Sequence, residues 1–394
     1  MMLGSFYKRN LLKFLAKIKK GTITINDDFS QTFGAGEPKV TIEVVSPRFY
    51  RRTILGGDLG FAESYAKSEW FTDNLTDLIT ILILNKDNLS GLDVKWSFVT
   101  KLFAKLGHWR RKNTLSGSKK NIQEHYDLSN EMFMTFLDET MTYSCGFFES
   151  ETDSLYQSQI NKIDKIIDKA NIQENNHILE IGSGWGALAK RAVERTGCKV
   201  TTITLSERQH DYVKKLIESE GLKDNIDIKL IDFRKIEGSY DRIISVEMIE
   251  AIGFELFNPY FSRIEELMKP DGTAVIQAIT YPDENYETYR KGCDFIQKFI
   301  FPGSLLPSVA SMENSINLTN LKLDDIERIG PHYATTLNLW NKNFNQNLDK
   351  IKEMGFDQYF INLWNYYFSY CEAGFTNNTI DDVQLVMRGG KANA

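Results

Sequence analysis

The stretch Ile178-Leu-Glu-Ile-Gly-Ser-Gly-Trp-Gly186 constrains this chain more than any other. A short apolar strand runs into alternating glycines. These permit a tight turn, let backbone amides approach a ligand, and open a helix whose first turn carries partial positive charge. Such a turn works at the carboxyl end of a strand in an open α/β sheet, so the flanking sequence has to alternate strands with helices. It does: His177–Ile181 reads as a strand, Trp185–Thr196 as a helix, Lys199–Leu205 as a strand and Glu207–Gly221 as a helix. Ile226–Ile231, Arg242–Val246 and Thr273–Ile279 supply further strands, with Pro259–Met268 helical between the last two. The spacing predicts a mainly parallel, doubly wound sheet.

Ahead of this sheet the pattern changes. Thr22–Ile25, Val40–Val45 and Phe49–Ile54 read as strands, and helical segments follow from Ala62, which predicts a small α+β domain. A charged connection over 86–123, with a helix around Trp96–Leu106, places a boundary near residue 120. The expected division is therefore an amino-terminal domain and linker over 1–120 and a catalytic domain over 121–394. With 394 residues and 42% hydrophobic content, the chain has enough material for both cores.

The net charge of −6 argues against a general nucleic-acid binder. Positive charge is local. Lys8, Arg9, Lys13, Lys17, Lys19 and Lys20 interleave with Leu11, Phe14, Leu15 and Ile18, which share one face of a helix. A second basic stretch runs from Lys101 to Lys120 around Trp109. Both suit an anionic membrane surface, although a solvated helix face plus a linker explains them equally. No apolar run approaches the ~18–20 residues of a membrane span, and residues 1–20 lack the form of a secretory signal. The expectation is a cytoplasmic protein, peripheral on the membrane. Cys145, Cys198, Cys293 and Cys371 lie far apart, and neither they nor the histidines form a metal-ligand spacing, so no metal is expected.

The glycine turn alone leaves its ligand open, because Gly182, Gly184 and Ala187 also satisfy a loose dinucleotide pattern. Glu180 in the strand and the GxGxG spacing through Gly186 resemble class I S-adenosylmethionine-dependent methyltransferases. Further segments make the likeness specific. They are Asn121-Ile-Gln-Glu-His-Tyr-Asp-Leu-Ser129, Phe136-Leu-Asp-Glu-Thr-Met-Thr-Tyr-Ser-Cys145, Thr202-Ile-Thr-Leu-Ser-Glu-Arg-Gln209, Ser245-Val-Glu-Met-Ile-Glu-Ala-Ile-Gly253, Ile296-Gln-Lys-Phe-Ile-Phe-Pro-Gly303 and Pro331-His-Tyr-Ala-Thr-Thr-Leu-Asn-Leu-Trp340. Together they resemble the cyclopropane-fatty-acyl-phospholipid synthases and the mycolic acid cyclopropane synthases. Gly56-Gly-Asp-Leu-Gly60 and Glu63-Ser-Tyr-Ala66 look like the small domain that precedes the catalytic domain in phospholipid-acting members.

The resemblance implies a class I methyltransferase (Rossmann-like) α/β fold, S-adenosylmethionine as methyl donor, and an unsaturated phospholipid in the bilayer as acceptor, its double bond becoming a cyclopropane. It implies a homodimer. It carries Tyr126, Tyr143 and Ser144 to the methionine end of the cofactor, Gly182 and Gly184 to the turn, and Thr204 and Gln209 to the ribose and adenine side, with Phe233 and Arg234 near the adenine. The family's base is a bound bicarbonate, whose cradle maps onto Cys145, Glu250, Gln277, Ile279 and Tyr333. Two positions depart from the common pattern: Ala251 and Gln277 stand where many members have histidine.

The chemistry fits such residues, since an isolated alkene is a poor nucleophile and the cation formed on methyl transfer must be kept from water. Tyr143, Phe147, Phe148, Phe295, Phe299, Phe301, Tyr333 and Trp340 are aromatic candidates for that environment, though any one of them can equally serve a core. Other outcomes are a methylene- or methyl-branched acyl chain from the same first step, methylation of a small amine, or a silent lipid-binding protein on the same fold.

Overall fold

The computed structural model describes residues 2–89 and 128–390. The expected helix around Trp96–Leu106, the second basic stretch and Tyr126 lie outside the described residues. Whereas the sequence suggests one division at residue 120, the chain forms two compact units that are not consecutive: 292–300 and 337–379 belong with the amino-terminal segment, and 301–336 and 380–390 with the central one.

In the first unit, β1 (Gly21–Asn26), β2 (Ser30–Ala35), β3 (Lys39–Val44) and β4 (Trp70–Thr72) form a sheet in the order β2-β1-β3-β4. β1 and β3 are parallel, and the other pairs antiparallel. Ile23, Ile25, Val40 and Ile42 alternate onto its buried face. Phe49–Ile54, expected as a strand, instead lies in the helix Arg48–Ala66. Pro47 before it has φ −63°, a value already helical, and Phe49 buries itself beside Trp70 with Tyr50 against Phe49, so tertiary packing overrides the β preference of these residues. The helix Met2–Leu15 forms as the basic amphipathic pattern predicts. Leu11, Leu15 and Ile18, however, are buried within the protein, while Phe6, Arg9, Lys13, Lys17, Lys19 and Lys20 are exposed.

The second unit is the α/β sheet. β5 (His177–Ile181), β6 (Lys199–Thr204), β7 (Ile226–Leu230), β8 (Tyr240–Val246) and β9 (Met268–Thr280) are parallel, while β10 (Lys322–Arg328) and β11 (Asp381–Arg388) join antiparallel. The order is β10-β11-β9-β8-β5-β6-β7. Neither β10 nor β11 was foreseen from the sequence. Adjacent residues face opposite cores: Leu179, Ile181 and Ile243 pack with Phe257, Tyr260 and Phe261, whereas Ile178, Ile244 and Val275 pack with Ile163, Ile166 and Ala189. Each such side chain contributes about 1.5–3 kcal/mol by leaving water. From β5 the chain winds outward through β6 and β7, then returns to the other side of β5 at β8. That reversal opens a crevice at the carboxyl ends of β5 and β8.

Candidate active site

The turn after β5 adopts the conformation that its glycines allow. Gly182, Gly184 and Gly186 have φ of 100°, 46° and 91°, and the last caps the helix Ala187–Thr196. The Gly182 and Ser183 amides donate to the Ile203 carbonyl, each at 3.0 Å, tying the turn to β6. A pocket opens over it, lined by Gly182, Gly184, Thr204, Gln209, Phe233, Tyr143 and Ser144 from among the expected cofactor residues, together with Glu180, Trp185, Lys162, Glu247 and Met248. The Thr204 hydroxyl donates to Gln209 Oε1 at 2.8 Å. Arg234 is not part of this lining: its guanidinium is held by Asp232, at 2.8 Å from Nε and 2.6 Å from Nη2, a partner two residues away that the sequence reading overlooked.

Glu180 on β5 is buried and accepts from the Thr202 hydroxyl of β6 at 2.5 Å. Burial pushes its carboxyl up to about 8, against the opposing pull of that hydroxyl and of the Lys162 charge. A carboxyl held so close to ionisation, beside a glycine turn, suits a ligand that brings its own positive charge. The residues present therefore fit a sulfonium cofactor with an ammonium group.

Beside this turn, β8 ends at Val246 and the next residue, Glu247, takes φ 49°. A non-glycine residue rarely adopts that conformation, and here it aims a carboxylate into a set of donors. Glu247 Oε1 accepts from the Cys145 amide and from Gln277 Nε2, both at 2.8 Å, and Oε2 accepts from the Tyr333 hydroxyl at 2.7 Å. Gln277 on β9 is fully buried, donates also to Asp382 Oδ2 at 2.9 Å, and accepts from Gln384 Nε2 at 3.0 Å. Strand register explains the arrangement, because Val246 pairs with Gln277, Gln277 with Gln384, and Ile279 with Asp382. Lys162 Nζ is buried nearby and donates to Ser144 Oγ at 2.7 Å.

Burial raises Glu247, while Tyr333, the Cys145 amide, Lys162 and Gln277 all favour its charged form. Asp382 is raised well above the carboxylate range by burial and then by the Glu247 and Glu250 charges. Glu250 stands apart from this cluster: its Oε1 accepts from the Ile279 amide at 2.6 Å, its Oε2 is buried without a hydrogen-bond partner, and burial with the Glu247 charge pushes it up to about 8. The Cys145 thiol, pushed up by burial and by Asp382, donates to the Gly146 carbonyl at 3.1 Å and has no character of a nucleophile.

Cys145, Gln277 and Tyr333 thus come together, but around Glu247, and Ile279 serves Glu250. The donors expected to cradle bicarbonate already hold a carboxylate of the chain, so the residues present do not fit a bound bicarbonate. Sequence reasoning missed Glu247, Asp382, Gln384 and Lys162. A signal for Glu247 existed: an extra acid, three residues before Glu250, in the same chain that has glutamine at position 277. Of the aromatic candidates Tyr143 lines the pocket, amid Phe133, Phe136 and Phe301, whereas Phe295, Phe299 and Trp340 belong to the first unit. Among the described residues no group of His, Cys, Asp and Glu is placed to hold a metal ion, and no helix is long and apolar enough to cross a membrane.

Residues 113–385 match the family described as mycolic acid cyclopropane synthetase. The chain is similar to the tuberculostearic acid methyltransferase UfaA1 of Mycobacterium tuberculosis, 38% identical over 90% of this chain and 84% of that one. Among solved structures it resembles the mycolic acid cyclopropane synthase CmaA1 complexed with SAH and CTAB, 31% identical with a TM-score of 0.64 over 68% of this chain and 97% of the other. Coclaurine N-methyltransferase bound to N-methylheliamine and SAH, 19% identical, shares the fold with a TM-score of 0.64 over 83% of this chain and 98% of its own.

Proposed function

Because the chain belongs to the mycolic acid cyclopropane synthetase family and is an S-adenosylmethionine-dependent methyltransferase, we propose that it methylates the double bond of an unsaturated phospholipid acyl chain and closes a cyclopropane there. The observation that carries this reading is that one pocket joins the glycine turn to the Glu247 carboxylate. Bound S-adenosylmethionine supplies an electrophilic methyl group. Gly182 and Gly184 give its chain close backbone approach, Thr204 and Gln209 offer polar groups toward the ribose, Phe233 gives an apolar face to the adenine, and Glu180 supplies negative charge.

Tyr143, Trp185, Ile181 and Met248 contribute an apolar part of the wall. That wall excludes water from an alkyl cation, and a desolvated aromatic face stabilises such charge by up to ~2 kcal/mol. The phospholipid assignment rests on the additional amino-terminal unit and on the exposed Lys13, Lys17, Lys19 and Lys20. With Leu11, Leu15 and Ile18 taken up by the protein, the segment meets an anionic bilayer chiefly through charge, with Phe6 as its exposed large apolar side chain. The proposal includes a peripheral, cytoplasmic location and a homodimer, the latter read by sedimentation.

Similarity to a tuberculostearic acid methyltransferase over most of the chain favours a second reading, in which the same first step ends in a methylene or methyl branch. Purified protein given methyl-labelled S-adenosylmethionine and unsaturated phospholipid vesicles decides. Label in acyl chains with upfield cyclopropane protons supports the first reading, vinylic or methyl-branch signals the second, and label absent from lipid overturns both.

A further inference from the structure

Three donors from three parts of the chain converge on Glu247: the Cys145 amide and Gln277 Nε2 on Oε1, and the Tyr333 hydroxyl on Oε2. The backbone is held in its unusual conformation by the Glu247 amide, which donates to the Gln277 carbonyl at 2.8 Å. Strain of this kind persists where the surroundings over-determine it, which is a mark of functional positions. Glu247 also lines the cofactor pocket, whereas Glu250 lies outside its lining.

Resting on the function proposed above, we propose that Glu247 is the proton acceptor of the reaction, a carboxylate built into the chain in place of an external bicarbonate. The alkene π pair forms the new bond to the transferred methyl carbon while the carbon–sulfur bond breaks and its pair stays on sulfur, leaving one acyl carbon electron-deficient. A C–H bond of that methyl then breaks, its electron pair closes the ring onto the deficient carbon, and the proton goes to Glu247. Oε2, which accepts from the Tyr333 hydroxyl, and Oε1, which accepts from the Cys145 amide and Gln277, are the two atoms able to receive it. The Lys162 charge favours the ionised form of this carboxylate, against the opposing effect of burial.

The strained backbone supplies the test, because glycine relieves a φ of 49° and leaves the donors without their carboxylate. Wild-type protein is expected to label acyl chains at full rate in buffer purged of carbon dioxide and to gain nothing from added bicarbonate. Glu247→Gly is expected to lose about 10²–10⁴-fold in that buffer and to recover with millimolar formate or bicarbonate. Glu247→Gln, near in shape but not basic, is expected to lose as much and recover nothing. Independently of turnover, and without cofactor, [13C]formate should bind saturably to Glu247→Gly by NMR and not to wild type.

A wild type that requires bicarbonate, or a Glu247→Gln that retains full activity, overturns the inference. So does a folded Glu247→Gly that binds no formate. If wild type puts no label into lipid, the function proposed above has failed instead, and formate binding alone still decides whether the donors form a site for an oxyanion.

Discussion

The carboxyl ends of β5 and β8 lie side by side, yet they build their halves of the pocket from different material. After β5 the cofactor turn is made of backbone: glycines, two amides and the start of one helix, all within a few residues. After β8 the acid cluster is made of side chains gathered from β8, β9, β11 and the segments carrying Cys145 and Tyr333. The first half depends on local conformation and the second on the register of the sheet. Damage to each should therefore look different.

The largest effect falls on the second half. Glu247→Gln should cut product formation by about 10²–10⁴-fold, while cofactor affinity measured by calorimetry moves far less. Equal losses in both would dissolve the distinction between the halves.

Next comes the turn. Gly182 has φ 100°, and a Cβ there meets Met248 Cγ at 3.4 Å, so strain rather than space opposes a side chain. Gly182→Ala should cost about 1–3 kcal/mol, seen as a roughly 5- to 150-fold weaker cofactor Kd with the Glu247 cluster undisturbed. An unchanged Kd would show that the turn does not need this conformation.

The carboxyls that face neither half's full donor set give a smaller, pH-dependent effect. Glu180 and Glu250 are raised from 4.5 to about 8 in the folded protein, so the fold holds their protons more tightly than the unfolded chain does. The stability this gives is fully present below pH 4.5 and is lost as pH rises through about 8. Melting temperature without cofactor should fall across that window, and Glu180→Gln with Glu250→Gln should flatten the fall. For the same reason cofactor affinity should rise toward pH 8, where ionised Glu180 meets a cation without first losing a proton. A flat affinity profile would remove Glu180 from the cofactor site.

The smallest effect lies outside both halves. Lys13→Gln should weaken binding to anionic vesicles by about 1 kcal/mol, less at high salt, and leave turnover of detergent-dispersed lipid unchanged. Salt-independent vesicle binding would contradict contact through charge.

This contrast also explains what the sequence revealed. The strand from His177 and the glycine turn were legible because both are local, and the parallel strands β6 to β9 followed from alternation. β11 was not, since its sheet partner β9 lies far back in the chain and a long helical region intervenes. Arg234 was misplaced because a nearby acid, Asp232, claims it. Glu247 sat in a quoted motif without a role, because its meaning comes from partners contributed by distant segments. Where five residues were expected to surround a bound anion, three of them surround this side chain instead.

β11 lies between β9 and β10 and carries Asp382 and Gln384, yet it is the last strand of the sheet to leave the ribosome. A growing chain can shape its glycine turn long before the floor beneath Gln277 exists. The order of synthesis thus readies the backbone-built half of the pocket first and completes the side-chain half only when β11 docks.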